Sequence, residues 1–291
     1  MLRILILLAF VSLSCSQKSQ NETLSSDGSL KEVFTLPKSL KEVSGIAFSP
    51  DKKVIWTIED AGNKNKIYGL DASGKMIADV EVENGENNDW EDIISDKSGN
   101  IYIGDFGNND NLRQDLAILK VDLKNPQQTT TKVIQTTKFH YADQTEFPPS
   151  KSNLLYDCEG FVEMNGNFYL FTKNRSKGFD GSFLVYKVPN KEGDFEAQLV
   201  GKLKLDGKYN AAAITSASIN SVGNEIALLS HQNVFLLSGF TADDFNNSTV
   251  KKVSLEHNSQ KEGLVFKDDK TLWMVDEKDK TIGGKVYEFG L

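Results

Sequence analysis

Five times between residue 44 and the C-terminus the same short pattern returns. A brief strand opens on a polar or acidic residue, a turn follows, and a second, more apolar strand ends in polar residues. The openings are Ser44-Gly45-Ile46, Glu91-Asp92-Ile93, Glu159-Gly160-Phe161, Thr215-Ser216-Ala217 and Glu262-Gly263-Leu264. The matching second strands end at Glu59-Asp60, Asp105, Lys173-Asn174-Arg175, Ser230-His231 and Asp276-Glu277. A third strand follows each, as in Lys66-Ile67-Tyr68-Gly69-Leu70 and Lys285 to Phe289. No segment carries a convincing helical period. A repeat that cannot bury its own apolar face must stack on its neighbours, and a step of roughly 50 residues is that of a propeller blade, not a solenoid turn.

The pattern therefore predicts an all-β chain folded as a β-propeller. Five blades is the direct count. Six is the alternative, because the stretch from Gln127 to Pro149 is long enough to hide further strands. The last repeat runs out of chain after three strands, and Lys31-Glu32-Val33-Phe34-Thr35-Leu36 is a strand without a sheet. It is expected to complete the last blade, which removes the exposed edges of an open sheet. Residues 30–291 thus form one domain.

Ahead of that domain, Met1-Leu2-Arg3 and the apolar run Ile4 to Val11 read as a targeting segment, residues 1–14. The run is too short to span a bilayer, which needs about 20 apolar residues. It ends at Ser12-Leu13-Ser14-Cys15 and turns polar at once, like a bacterial lipoprotein signal with the lipid on Cys15. An ordinary secretory signal is the other reading. Residues 15–29 are expected to be a flexible tether. The expectation is a protein of the cell envelope, extracytoplasmic and lipid-anchored, touching the membrane through that anchor only. With Cys15 modified, Cys158 has no cysteine left to pair with.

A net charge of −8, with no Lys/Arg run after the first residues, argues against the basic stripe that nucleic-acid binding requires. In a propeller the first strand of each blade starts on the face where the second ends, so both sets of residues meet at one mouth. The strand starts there are Ser44, Glu91, Glu159, Thr215 and Glu262, with Glu42, Asp89 and Asp157 two residues before three of them. So many carboxylates in a confined site raise one another's pKa. A divalent cation resolves this, and oxygen ligands without a Cys/His cluster favour Ca²⁺. The candidate metal ligands are Asp89, Glu91, Asp157, Glu159, Glu262 and Glu42. Acidic strand starts that only cap backbone N–H groups or line a water-filled tunnel are the competing reading. Lys173, Asn174 and Arg175 are candidate substrate-binding residues, the two bases either holding an anionic substrate group or offsetting the acidic ring. Glu91, Glu159 and His231 are the candidate catalytic groups. Cys158, between Asp157 and Glu159, is expected to point away from the channel.

The segments Glu42-Val43-Ser44-Gly45-Ile46-Ala47, Asn88-Asp89-Trp90-Glu91-Asp92-Ile93, Asp105-Phe106-Gly107-Asn108-Asn109, Asp157-Cys158-Glu159-Gly160 and Phe171-Thr172-Lys173-Asn174-Arg175 resemble bacterial envelope propellers of the esterase-like phytase and SdiA-regulated families. More distantly the layout is similar to calcium-dependent lactonases and paraoxonases. The resemblance implies that Asp89, Glu91, Glu159 and Glu262 are metal or channel residues. The function expected is hydrolysis of a small-molecule ester or phosphoester at the mouth. A binding module for an envelope ligand is the rival, and the fourth repeat departs from the pattern with Ala213 and Thr215.

Overall fold

The structure is a computed structural model that describes residues 22–24 and 29–291. Residues 1–14, expected as a targeting segment, and Cys15 lie outside the described residues. Among the described residues five antiparallel four-stranded meanders make up most of the sheet structure. The first runs Val43–Phe48, Ile55–Glu59, Lys66–Leu70 and Met76–Val82; the second Trp90–Ser95, Ile101–Asp105, Ala117–Val121 and Val133–Tyr141. The third runs Asp157–Met164, Asn167–Lys173, Ser182–Pro189 and Gly193–Lys204; the fourth Ser216–Ile219, Glu225–Leu229, Asn233–Ser238 and Thr249–Ser254. The fifth is Lys261–Asp268, Thr271–Asp276 and Lys285–Gly290, and Lys31–Thr35 pairs antiparallel to Lys285–Gly290 as its fourth strand.

The first strands of the meanders touch in a ring, first to second and so on, with the fifth back against the first. The core accordingly divides into five apolar clusters, each filling the gap between two adjacent sheets. Cys158 is buried in one of them beside Phe161 and Phe168, turned away from the axis. The long stretch of the second repeat holds no sheet of its own. Val133–Tyr141 is that sheet's outer strand and pairs in parallel with Gly193–Lys204, joining the second and third sheets into eight strands. Thr130–Thr131 lies on the outer edge of the first sheet, and Glu22–Leu24, inside the stretch expected as tether, on that of the fourth.

A strict two-residue alternation fails where it matters. In four of the five inner strands the register slips by one residue near the strand start. The residues left without a partner are Gly45, Glu91, Glu159 and Glu262. A bulge re-aims a side chain and bends its strand, and here it turns three carboxylates to the axis.

One residue beyond these acids, the axis is closed. This position is Gly45, Gly160 and Gly263 in three repeats, Ser216 in the fourth and Asp92 in the second. Asp92 is 0% exposed. Its carboxylate accepts the Ile93 N–H at 2.9 Å, the Ser216 hydroxyl at 3.3 Å, and the N–H groups of Phe161 and Ala217. The glycines make room for it: a Cβ on Gly45, whose φ is +78°, would stand 2.8 Å from Asp92 Oδ1. A Cβ on Gly160 would likewise press on the backbone of the fourth inner strand, and one on Gly263 on Gly45. Asp92 and the packed glycines form a floor that separates an acidic mouth from a cavity at the other end.

Candidate functional site

The mouth is built from the bulged acids and the loops that follow the second strands. Glu159 is clamped twice, by Lys173 Nζ at 3.1 Å and by an Arg175 terminal nitrogen at 2.6 Å. Arg175 Nε reaches Asp157 at 2.6 Å, and its other terminal nitrogen donates to the Tyr209 hydroxyl at 3.0 Å. Asp157, fully buried, also accepts the Asn108 N–H at 2.7 Å. Each of Glu91, Asp157 and Glu159 places an oxygen within 4.8 Å of the other two.

Glu91 is the exception within this group. It is 8% exposed, and among the described residues its carboxylate makes no hydrogen bond or ion pair. Burial, then the charges of Glu159, Asp89 and Asp157, push its pKa well above the usual carboxylate range, and Lys173 opposes this. Glu159 is raised by burial against the pull of Lys173 and Arg175. Asp89 is raised to about 6 by burial and Asp157. Gly107 permits this crowding, since a Cβ there would collide with the carboxylates of both Asp89 and Glu91.

The other half of the mouth holds four acids. Glu42 and Asp60 share the Asn63 amide, at 2.9 and 3.1 Å. Burial and then Glu42, Asp89 and Glu262 raise Asp60 to about 7. Burial and then Glu262, Asp60 and Glu42 raise Glu277 to about 8. Among the described residues Glu262 accepts no backbone donor; its carboxylate meets His231 Nε2 at 3.1 Å. A dyad of this kind orients an imidazole. The main-chain carbonyl of His231 is held by the Lys261 ammonium at 2.9 Å, which also bonds His257 Nδ1 and Ser259 Oγ.

The structure thus brings Glu91, Asp157 and Glu159 together with Asp89 beside them, and places Glu262 and Glu42 across the mouth. Lys173 and Arg175 are at the site but engaged by its own acids. Asn174 is turned into its loop, donating to Asp180 at 3.3 Å and accepting the Ser176 N–H at 2.8 Å. The uncharged strand starts act as staples: the Ser44 hydroxyl donates to the Glu91 carbonyl, and that of Thr215 to the Lys261 carbonyl at 2.6 Å. Two residues of the site carry no repeat signal. Arg113, which braces Asp105 at 3.1 Å, lies in an irregular loop, and Tyr209 lies on the short helix Tyr209–Ala212. Charge at the first and an aromatic two residues after Gly207 at the second were the only traces in the sequence.

The sequence matches the SdiA-regulated family over residues 32–282. The chain belongs to the SdiA-regulated family. No curated protein matches it. Among solved structures it is similar to a PQQ-bound aldose sugar dehydrogenase from Streptomyces coelicolor, at 11% identity and a TM-score of 0.54, over 91% of this chain and 98% of that one. A gluconolactonase from Xanthomonas campestris follows at 10% identity and a TM-score of 0.47, covering 91% and 90%. A chain of a nidogen/laminin complex gives 14% and 0.45, covering 86% and 85%. The first of these supports the propeller fold and nothing finer.

Proposed function

We propose that the chain is a five-bladed propeller, one blade per meander, anchored by lipid at Cys15 on the extracytoplasmic side of the cell envelope. Its acidic mouth holds a divalent cation and hydrolyses a small ester or phosphoester. The observation that carries this is Glu91: a buried carboxylate without a partner, one oxygen within 4.8 Å of those of Asp157 and Glu159. An all-oxygen donor set of this kind suits Ca²⁺, with Glu91, Asp157 and Glu159 as ligands and Asp89 beside them. A cation there would polarise a substrate oxygen or lower the pKa of a bound water. Around it, the His231–Glu262 pair supplies a base that can accept a proton from water, and Arg175 holds Asp157 and Glu159 in place.

One observation favours a second reading, a non-catalytic module that binds an envelope ligand. Lys173 and Arg175, the bases that would hold an anionic substrate, already spend their charge on Glu159 and Asp157.

A thermal melt of the protein in calcium and in excess chelator tests the cation. At 100 to 1,000 times the dissociation constant, calcium is expected to stabilise by about 3–4 kcal/mol, and Glu91→Gln is expected to abolish the shift. No shift in the wild type removes the cation and leaves the binding module. With the shift in hand, ester and phosphoester turnover that survives Glu91→Gln, Glu159→Gln and His231→Ala refutes the hydrolytic mechanism.

A further inference from the structure

We infer that the end of the axis opposite the acidic mouth is a second, separate ligand site, for the aliphatic chain of a small amphiphile with an anionic head. A cavity of about 410 Å³ opens there, within the size range of small-molecule pockets. The same inner strands that carry the acids line it, with residues three or more positions further on: Phe48, Ile94, Val162, Ile219 and Val265. Ile94, Ile219 and Val265 remain partly exposed, so apolar surface is left facing water. A side lobe of about 310 Å³ shares the Ile219 wall and is edged by Val222, which is 65% exposed. Asp92 and the packed glycines close the cavity from the mouth, so whatever enters must be bound by this apolar wall and not by the acids.

The rim supplies the choice of head group. Its acids each accept hydrogen bonds from their own or a neighbouring turn. Asp96 accepts two backbone N–H groups, the Asn100 amide and the Tyr102 hydroxyl. Asp269 holds Ser221, Asp268 the Lys270 N–H, and Glu163 the Gly166 N–H. Among the described residues Lys97, exposed on both the cavity and its lobe, has no ion pair. Lys97 is therefore a cation of the rim without an ion pair of its own, and its ammonium matches a carboxylate or phosphate.

The position of the chain also favours an amphiphile. Lys31 is level with Glu288, and the Leu291 N–H bonds Lys270 O at 2.9 Å, so the domain is entered at the cavity's end of the axis. If Cys15 carries lipid, as proposed above, this end lies nearer the membrane, a source of such chains. The site itself does not depend on that.

The test is calorimetric titration of the full chain, carrying Cys15→Ser so that no lipid of its own competes, with dodecanoate below its micellar concentration. One saturable site is expected. Affinity should rise roughly fifteen-fold from decanoate to dodecanoate, at about 0.8 kcal/mol per methylene. Ile219→Trp, which fills the cavity, should weaken binding at least ten-fold. Val222→Asp, on the exposed edge of the lobe, gives a second variant that does not disturb packing and should weaken it too. Lys97→Glu should cost several-fold, and Glu91→Gln, at the mouth, should change nothing. No saturable binding, or binding that survives both Ile219→Trp and Val222→Asp, overturns the site. Equal affinity for dodecyltrimethylammonium overturns the anionic head. Dependence on Glu91 would place the ligand in the mouth and overturn the separation of the two ends.

Discussion

The two ends of the central axis are made by the same five strands, yet one is a crowd of carboxylates and the other an apolar cavity. At the mouth, bulges leave Glu91, Glu159 and Glu262 unpaired on the backbone and aim them inward. A few residues along, the strands return to regular pairing and Ile94, Val162 and Val265 face the opposite cavity. Between them lies a single buried carboxylate at a position that is otherwise glycine or serine. The difference shows how little sequence separates a polar site from an apolar one when an irregularity in the ladder fixes the direction of a side chain. The larger electrostatic cost lies at the mouth, and the far end adds shape, apolar burial and a charged rim.

That contrast can be broken most severely at Arg175. Arg175→Ala leaves Asp157 and Glu159 buried with one counter-charge fewer, and removing one partner of such a cluster costs about 3–5 kcal/mol. Urea unfolding should show this loss, and calcium should restore part of it if the vacated carboxylates then take the cation. A loss below 1 kcal/mol would mean that the ring does not need its internal cation. Asp92→Ala strands three backbone N–H groups and a hydroxyl inside the floor. At about 1–3 kcal/mol for each group that water cannot reach, the three N–H groups alone imply a loss of at least roughly 3 kcal/mol in the same experiment. Asp92→Asn, which keeps one acceptor, should lose less. If Asp92→Ala is neutral, the floor is not what holds the inner strands together.

A smaller effect separates the two ends by pH. Asp60 and Glu277 are raised to about 7 and about 8 from ordinary values of 3.8 and 4.5. Between those limits the folded chain keeps protons that the unfolded chain has released. Their contribution is therefore full below about pH 4 and is lost as pH rises through 7 to 8. In chelator, the melting temperature should fall between pH 5 and pH 9, and Asp60→Asn with Glu277→Gln should flatten that slope. A slope unchanged in the double variant would place its origin elsewhere, Glu91 being the first alternative. The least effect is expected at the far end: Val222→Ser, on an exposed rim away from any network, should change stability by no more than about 0.5 kcal/mol.

The repeat alone was enough for the all-β propeller, the strand Lys31–Thr35 that completes the last sheet, and the set of polar residues around one mouth, because blade stacking imposes a period on the chain that composition cannot hide. The burial of Cys158 among apolar side chains between two sheets was also legible from its place between Asp157 and Glu159. What tertiary structure decided was which acids meet. The bulges, the pairing of Glu262 with His231, the double clamp of Arg175 and the isolation of Glu91 all depend on backbone register between strands many residues apart. Asp92 shows the same limit: in sequence it is one more acid beside Glu91, and only the close approach of Gly45, Gly160 and the fourth inner strand makes it a floor. Local pattern specifies a strand and its faces; distance between strands, which no local pattern carries, specifies the chemistry at their ends.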